Sequence, residues 1–197
     1  MVRNKSFDTQ KLVLLAILTT IVIVLQILAS VIPVYPFRLN LVLIPIVIGA
    51  ALISKFAGCW LGFVFGTVVL MSSHDVIPFM IFNPAATIGL VLFRGAFAGF
   101  SAGYIYNLFV KKSKTIAVIV AAATCAITNT GIFVLGIYLF FLPVLEIWGV
   151  SGAADIASFV FLGMIGFNFI FELGINLVIS PVIVRLIQYR SETAEQK

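Results

Sequence analysis

Arg94 sits in the apolar run IGLVLFRGAFAGF (88–100), far from any polar segment. A guanidinium keeps its proton, so at membrane depth it must be paired, hydrated in a cavity, or held by a ligand. A second charge, Glu172, lies in another apolar run, 159–179. Asn168, Glu172 and Asn176 recur at i, i+4 and i+8, which stacks them on one helical face with a drift of about 40° per step. Asn129 lies among Thr124, Thr128 and Thr130, Asn83 opens the run that carries Thr87 and Arg94, and Gln26 lies late in the first apolar run. Asparagine supplies both donors and acceptors, which suits a neutral polar or hydroxylated solute. Opposite charges and amides inside so apolar a chain point to a polar interior that faces a solute.

Arg94 and Glu172 each fall roughly 16–20 Å along their helices from the same entry side, so they could meet near mid-membrane. One reading is an ion pair that locks two helices. The other places Arg94 or Glu172 at the floor of an outward-opening pocket. Buried ion pairs stabilise poorly because desolvation offsets attraction, which leaves room for the second reading.

Other chemistry finds little support. His74 beside Asp75 has no second histidine near it, so no metal site is expected. Cys59 and Cys125 lie in apolar runs without zinc-ligand spacing, and no disulfide framework is expected. There is no HExxH, GxSxG or Walker A sequence. The chain is therefore read as no enzyme, with no catalytic residue and no cofactor, and as unable to hydrolyse ATP itself.

The elements that must hold these residues follow from composition. The chain has 197 residues, 62% hydrophobic and 10% charged, whereas soluble domains are near half apolar and a quarter charged. This is the composition of an integral membrane protein with a single membrane domain, 1–197, and no room for a soluble catalytic domain. The net charge of +5 does not indicate nucleic acid, because the basic residues lie at membrane edges. The apolar run after the short polar N-terminus is too long for a signal peptide and is read as a retained span.

With about 20 apolar residues needed per crossing, spans are expected at 12–32, 83–109, 116–142 and 157–187. The stretch 39–71 is either one overlong helix of roughly 50 Å or a hairpin of two short helices, 39–53 and 56–71, broken at Ser54-Lys55. Charge chooses the hairpin. With six spans, Arg3, Lys5, Lys11, Lys55, Lys111, Lys112, Lys114, Arg185, Arg190 and Lys197 share one side, and Arg38 faces the other with Asp75, Glu146 and Asp155. The positive-inside rule then makes that side cytoplasmic and places both termini there. The outer loops are 33–38, 72–82 and 143–158. The last has the character of a lid or of a plain connector, and Trp60 and Trp148 are expected as interfacial anchors.

Gly58, Gly62 and Gly66 repeat every four residues, as do Gly95, Gly99 and Gly103. Small residues at this spacing let helix backbones approach closely, either inside the bundle or as a docking face for another protein. Ala16 and Thr20 form a further small-xxx-small pair towards the cytoplasmic end of the first span, well placed for a partner in the membrane.

Four stretches carry a family resemblance: KLVLLAILTTIVIVLQ (11–26), RLNLVLIPIVIGAALISKFAGCWLGFVFG (38–66), NPAATIGLVLFRGAFAGFSAGYIYNLF (83–109) and INLVISPVIVRLI (175–187). They resemble the first, second and third, fourth, and sixth helices of the S component, the substrate-binding subunit of an energy-coupling factor (ECF) vitamin transporter. The family's AxxxA-like motif falls on Ala16 and Thr20, with Thr departing from the second Ala. The resemblance implies an all-α, six-helix membrane protein in the cell membrane of a prokaryote. It implies capture of a water-soluble vitamin at the outer face, and partnership with a transmembrane coupling protein and two cytoplasmic ATPases whose ATP hydrolysis topples the S component. By position, Asn83, Arg94, Asn129, Asn168 and Glu172 match the substrate region; Arg94 lies deep, so organising the pocket is the alternative to touching the ligand.

The run PIVIGA (45–50) with the embedded Arg94 resembles the pantothenate group. There Arg94 or Arg38 would take the carboxylate, and the asparagines the hydroxyls and amide. Riboflavin, pyridoxine and other micronutrients stay open, with thiamin ranked lower because only two Trp occur. Two other classes compete: a stand-alone secondary transporter with Glu172 as proton carrier, and an accessory subunit with no ligand. No internal repeat is evident, which counts against the former.

Overall fold

The computed structural model describes residues 5–31, 41–72, 76–147, 149 and 152–159, and beyond them only 169–170, 173–175, 178–179 and 182. Regular structure among the described residues is helical: α1 (Lys5–Val31), α2 (Leu43–Leu52), α3 (Lys55–Ser72), α4 (Ile77–Phe82), α5 (Pro84–Phe109), α6 (Lys114–Phe140), α7 (Leu142–Ile147) and α8 (Ala153–Ser158). Among the described residues, four stretches are long and apolar enough to cross a membrane: Thr9–Val31, Lys55–Ser72, Pro84–Phe109 and Lys114–Ile147, the last running through α6 into α7; α2 is a shorter apolar helix. Of the expected sixth span, 157–187, only 157–159, 169–170, 173–175, 178–179 and 182 are described, and the outer loop 33–38 lies outside the described residues.

The chain breaks where Ser54 interrupts the apolar run. The amides of Ile53 and Ser54 both turn back to the Gly49 carbonyl, and the Ser54 hydroxyl accepts the Ala57 amide at 3.1 Å. Ser54 thus ends one helix and caps the next, satisfying an amide that has no partner within α3. The stretch 39–71 is accordingly two helices. α2 begins only at Leu43, after a turn closed by the Ile44 amide on the Leu41 carbonyl.

α3 and α5 pack antiparallel along their glycines. A methyl added at Gly58 would strike the Gly99 carbonyl, and one at Gly62 the Gly95 carbonyl; additions at Gly95 and Gly99 would strike the same partners in return. Further along, Gly66 faces Val91 and Gly103 faces Lys55. Lipid offers helices no hydrophobic drive to associate, so close backbone contact of this kind supplies the attraction. The glycine stripes are used inside the bundle and are not open for docking.

The remaining helices follow the same register. Ala50 lies 2.7 Å from where a Gly58 side chain would begin, which folds α2 back along α3. α1 runs parallel to α3, tied by a hydrogen bond of 3.0 Å between the hydroxyls of Ser30 and Ser72, with Leu18, Val22 and Gln26 buried at i, i+4 and i+8. α6 lays a stripe of small buried residues, Ala117, Ala121, Ala122 and Ala126, into the core. One hydrogen bond joins it to α5, from Ser101 to Thr128 at 3.3 Å. The Lys55–Gly103 contact puts the α2–α3 and α5–α6 turns at one end of the bundle, so Lys11, Lys55, Lys111, Lys112 and Lys114 gather there.

The opposite end departs from the sequence reading. Segments 72–82 and 143–158, expected as loops, carry α4, α7 and α8. IPFMIF and LPVLEI are too apolar for open loops and bury Phe79, Val144 and Leu145. Proline near each start fits a helix's first turn, where the missing N–H costs nothing.

Candidate functional site

The α5–α6 seam positions the two described residues with the strongest claim on a solute. α5 and α6 are antiparallel, with Leu90 against Gly136. One turn further in from Leu90, the guanidinium carbon of Arg94 lies 4.9 Å from the centre of the Phe133 ring. A planar guanidinium on an aromatic face keeps its charge where water is scarce, a contact of about 2 kcal/mol when desolvated.

Asn129 lies four residues before Phe133, on the same face of α6. It is 5% exposed, and its amide oxygen has no hydrogen-bond partner among the described residues. Leaving such an acceptor buried and unmet costs about 1–3 kcal/mol. A solute N–H or O–H would remove that cost.

The neighbouring polar groups are already engaged. Asn83 caps α5, its Oδ1 accepting the Ala86 amide at 3.1 Å, while the buried Thr87 hydroxyl donates to the Asn83 carbonyl at 2.8 Å. A site role for Asn83 therefore falls to its NH2 group. Thr124 bonds to the Val120 carbonyl of its own helix, and Gln26 reaches Ser30 at 3.4 Å. Asn129 differs from all of these.

Aromatic side chains close the end of the seam. Phe79 on α4 meets Phe133 in a T-shaped pair with ring centres 6.4 Å apart. Phe79 also meets Phe141 at 5.0 Å in a T-shaped pair, and Phe141 meets Phe82 at 6.5 Å. Phe141 and Val144 are buried with Phe79 in one cluster. Sequence reasoning did not single out Phe133, Phe79 or Phe141. In a chain with 19 Phe residue type marks none of them; only the antiparallel register of α5 and α6 would have paired Phe133 with Arg94.

Of the other expected site residues, Arg38, Asn168 and Glu172 lie outside the described residues, so the Arg94–Glu172 pairing is not tested. His74, Asp75, Trp148 and Asn176 also fall there. Trp60 is half exposed, on the first turns of α3. Ala16 and Thr20 are both exposed on α1. The Thr20 hydroxyl is turned down onto the Ala16 carbonyl at 3.1 Å, which leaves a smooth surface between flanking exposed Val13, Ile17 and Val24. An open groove of about 450 Å3 runs past Ile170, Gly174, Ile175, Val178 and Ile179; these residues offer no side-chain hydrogen bond and do not suit a water-soluble solute.

A family model described as "ECF transporter, substrate-specific component" matches residues 10–184. No curated protein and no solved structure matches the chain.

Proposed function

We propose that this chain, which belongs to the substrate-specific components of ECF transporters, captures a water-soluble vitamin at the outer face of a prokaryotic cell membrane. Membership makes it the substrate-binding subunit of an ECF transporter, embedded in the membrane and working with an ECF module. The finer reading is that a transmembrane coupling protein and two ATPases form that module, and that pantothenate is the solute.

The observation that carries the pocket is the pair on the α5–α6 seam: a cation seated on Phe133 and, one turn deeper, the unmet acceptor of Asn129. Pantothenate presents a carboxylate for a guanidinium and hydroxyl or amide donors for an asparagine oxygen. Asn83, Arg94 and Asn129 would form the described part of the site, with Arg38, Asn168 and Glu172 completing it. Arg94 either meets the carboxylate directly or organises the groups that do.

Orientation is supported by the lysines. With Lys11, Lys55, Lys111, Lys112 and Lys114 at one end, the positive-inside rule puts that end in the cytoplasm and α4 and α7 outside. A six-span arrangement with both termini inside accommodates this, the sixth span being 157–187. The smooth face at Ala16 and Thr20 then lies in the cytoplasmic half, where the coupling protein would dock.

Native mass spectrometry of protein purified without added vitamin tests the substrate. A retained mass equal to pantothenate is expected. A different vitamin would keep the transporter reading and replace the substrate; a carboxylate-free ligand would also remove the direct contact given to Arg94 and leave it the organising role.

A further inference from the structure

We propose that Phe133 is a positioning residue that ties the half-buried Arg94 to the short helices at the α4–α7 end, so that the two move together. The inference rests on the solute-site reading only for its use, not for the coupling itself.

The contacts form one continuous chain. Arg94 lies on the face of Phe133, Phe133 and Phe79 form a T-shaped pair, and Phe79 meets Phe141, which leads directly into α7. Four elements contribute: α5, α6, α4 and the α6–α7 junction. Phe79 and Phe141 are 7% and 1% exposed, so neither ring can turn without displacing a neighbour. Closely packed rings pass a displacement on because the interior has no slack to absorb it. α4 and α7 have six residues each, too short to be stable on their own. Their order depends on what they rest against: Phe79 and Val144 pack with Phe141, Ala86 and Leu90, and Leu145 packs with Ile137, Ile156 and Phe133.

Gly136 belongs to the same device. It leaves room for the Leu90 side chain, which lets α5 approach α6 closely enough, one turn on, for a guanidinium to lie on a ring. A solute that pulls the Arg94 guanidinium off Phe133 would free that ring face and loosen α4 and α7. One that presses it down would tighten them. An arrival at Arg94 is thereby reported at the outer end of the bundle.

Hydrogen–deuterium exchange on the full-length, ligand-free protein tests the coupling without any vitamin. Phe133→Leu removes the ring but keeps an apolar side chain. It should raise exchange several-fold in 77–82 and 142–147 while leaving 58–66 and 95–103 at the wild-type rate. Phe133→Tyr keeps the ring and should restore wild-type exchange, which a simple packing defect would not predict for a larger, more polar side chain. Arg94→Lys keeps the charge but loses the planar group, and should raise exchange in the same two segments by a smaller factor. Unchanged exchange at α4 and α7 in Phe133→Leu, or an equal rise across the α3–α5 seam, overturns the proposal. If Phe133→Leu does not fold, Phe79→Leu breaks the next link and should mobilise both 77–82, which buries Phe79, and 142–147 while leaving 58–66 and 95–103 at the wild-type rate; no change in 142–147 is equally fatal. Failure to bind any vitamin would sink the transporter reading and leave these outcomes untouched.

Discussion

Gly62→Ala should be among the most damaging single-methyl additions in this protein. The new Cβ would collide with the Gly95 carbonyl oxygen, and would lie 2.5 Å from its carbon and 3.1 Å from the Ala96 nitrogen. All three atoms are backbone, so no side chain can swing aside. Restoring ordinary contact needs α3 and α5 to part by about 1.5 Å, which also opens the Gly58–Gly99 contact one turn away. Overpacking typically costs 1–3 kcal/mol, and a clash with rigid backbone belongs at the upper end, about 3 kcal/mol. For a chain of this size that lowers the melting temperature by roughly 6–12 °C. Two internal controls are available. Among the described residues nothing lies within 4 Å of a Cβ added at Gly89 or Gly131, so Gly89→Ala and Gly131→Ala should be neutral or slightly stabilising through helix propensity, by about 0.5–1 kcal/mol. Gly136→Ala should fall between, since the obstacle is the movable tip of Leu90. A thiol-reactive dye reports unfolding directly, because Cys125 is buried and Cys59 half-buried. If Gly62→Ala melts with Gly89→Ala, the glycine seam is not what holds α3 to α5.

Asn129→Leu should raise stability by about 1–3 kcal/mol, through loss of an unmet buried acceptor, while abolishing solute binding; a variant that binds normally would remove Asn129 from the site. Ala16→Trp should leave binding intact and eliminate uptake with the coupling protein and ATPases, whereas lost binding would mean that this face of α1 serves internal packing. If Arg94 and Glu172 are paired, Arg94→Met with Glu172→Leu should yield more folded protein than either change alone, since each single change strands a buried charge. A double variant no better than the worse single one would refute the pairing.

The helices were legible because lipid imposes a length and a composition. α3 and α5 follow the expected 56–71 and 83–109 within a residue or two. The use of the glycines was half legible: spacing showed where backbones could approach, but only the register showed that the two stripes face each other. The α4–α7 end was misread because proline and short polar stretches suggested loops, while Phe79, Val144 and Leu145 had partners too distant in sequence to see. The site was legible in type rather than in geometry. Arg94 and Asn129 stood out as polar residues in apolar runs. Asn83 stands directly before Pro84, a capping signal that Asn129 lacks, so residue type alone put the two asparagines on an equal footing that their neighbours did not. Phe133 carried no local signal at all.

The central claim is capture of a vitamin by this chain alone, ahead of any ATP hydrolysis. Isothermal titration of the purified protein against the B vitamins, without ATP or partner subunits, measures it directly. Saturable, tight binding of one vitamin is predicted, with pantothenate the expected one, and absence of heat with every vitamin tested would contradict the account.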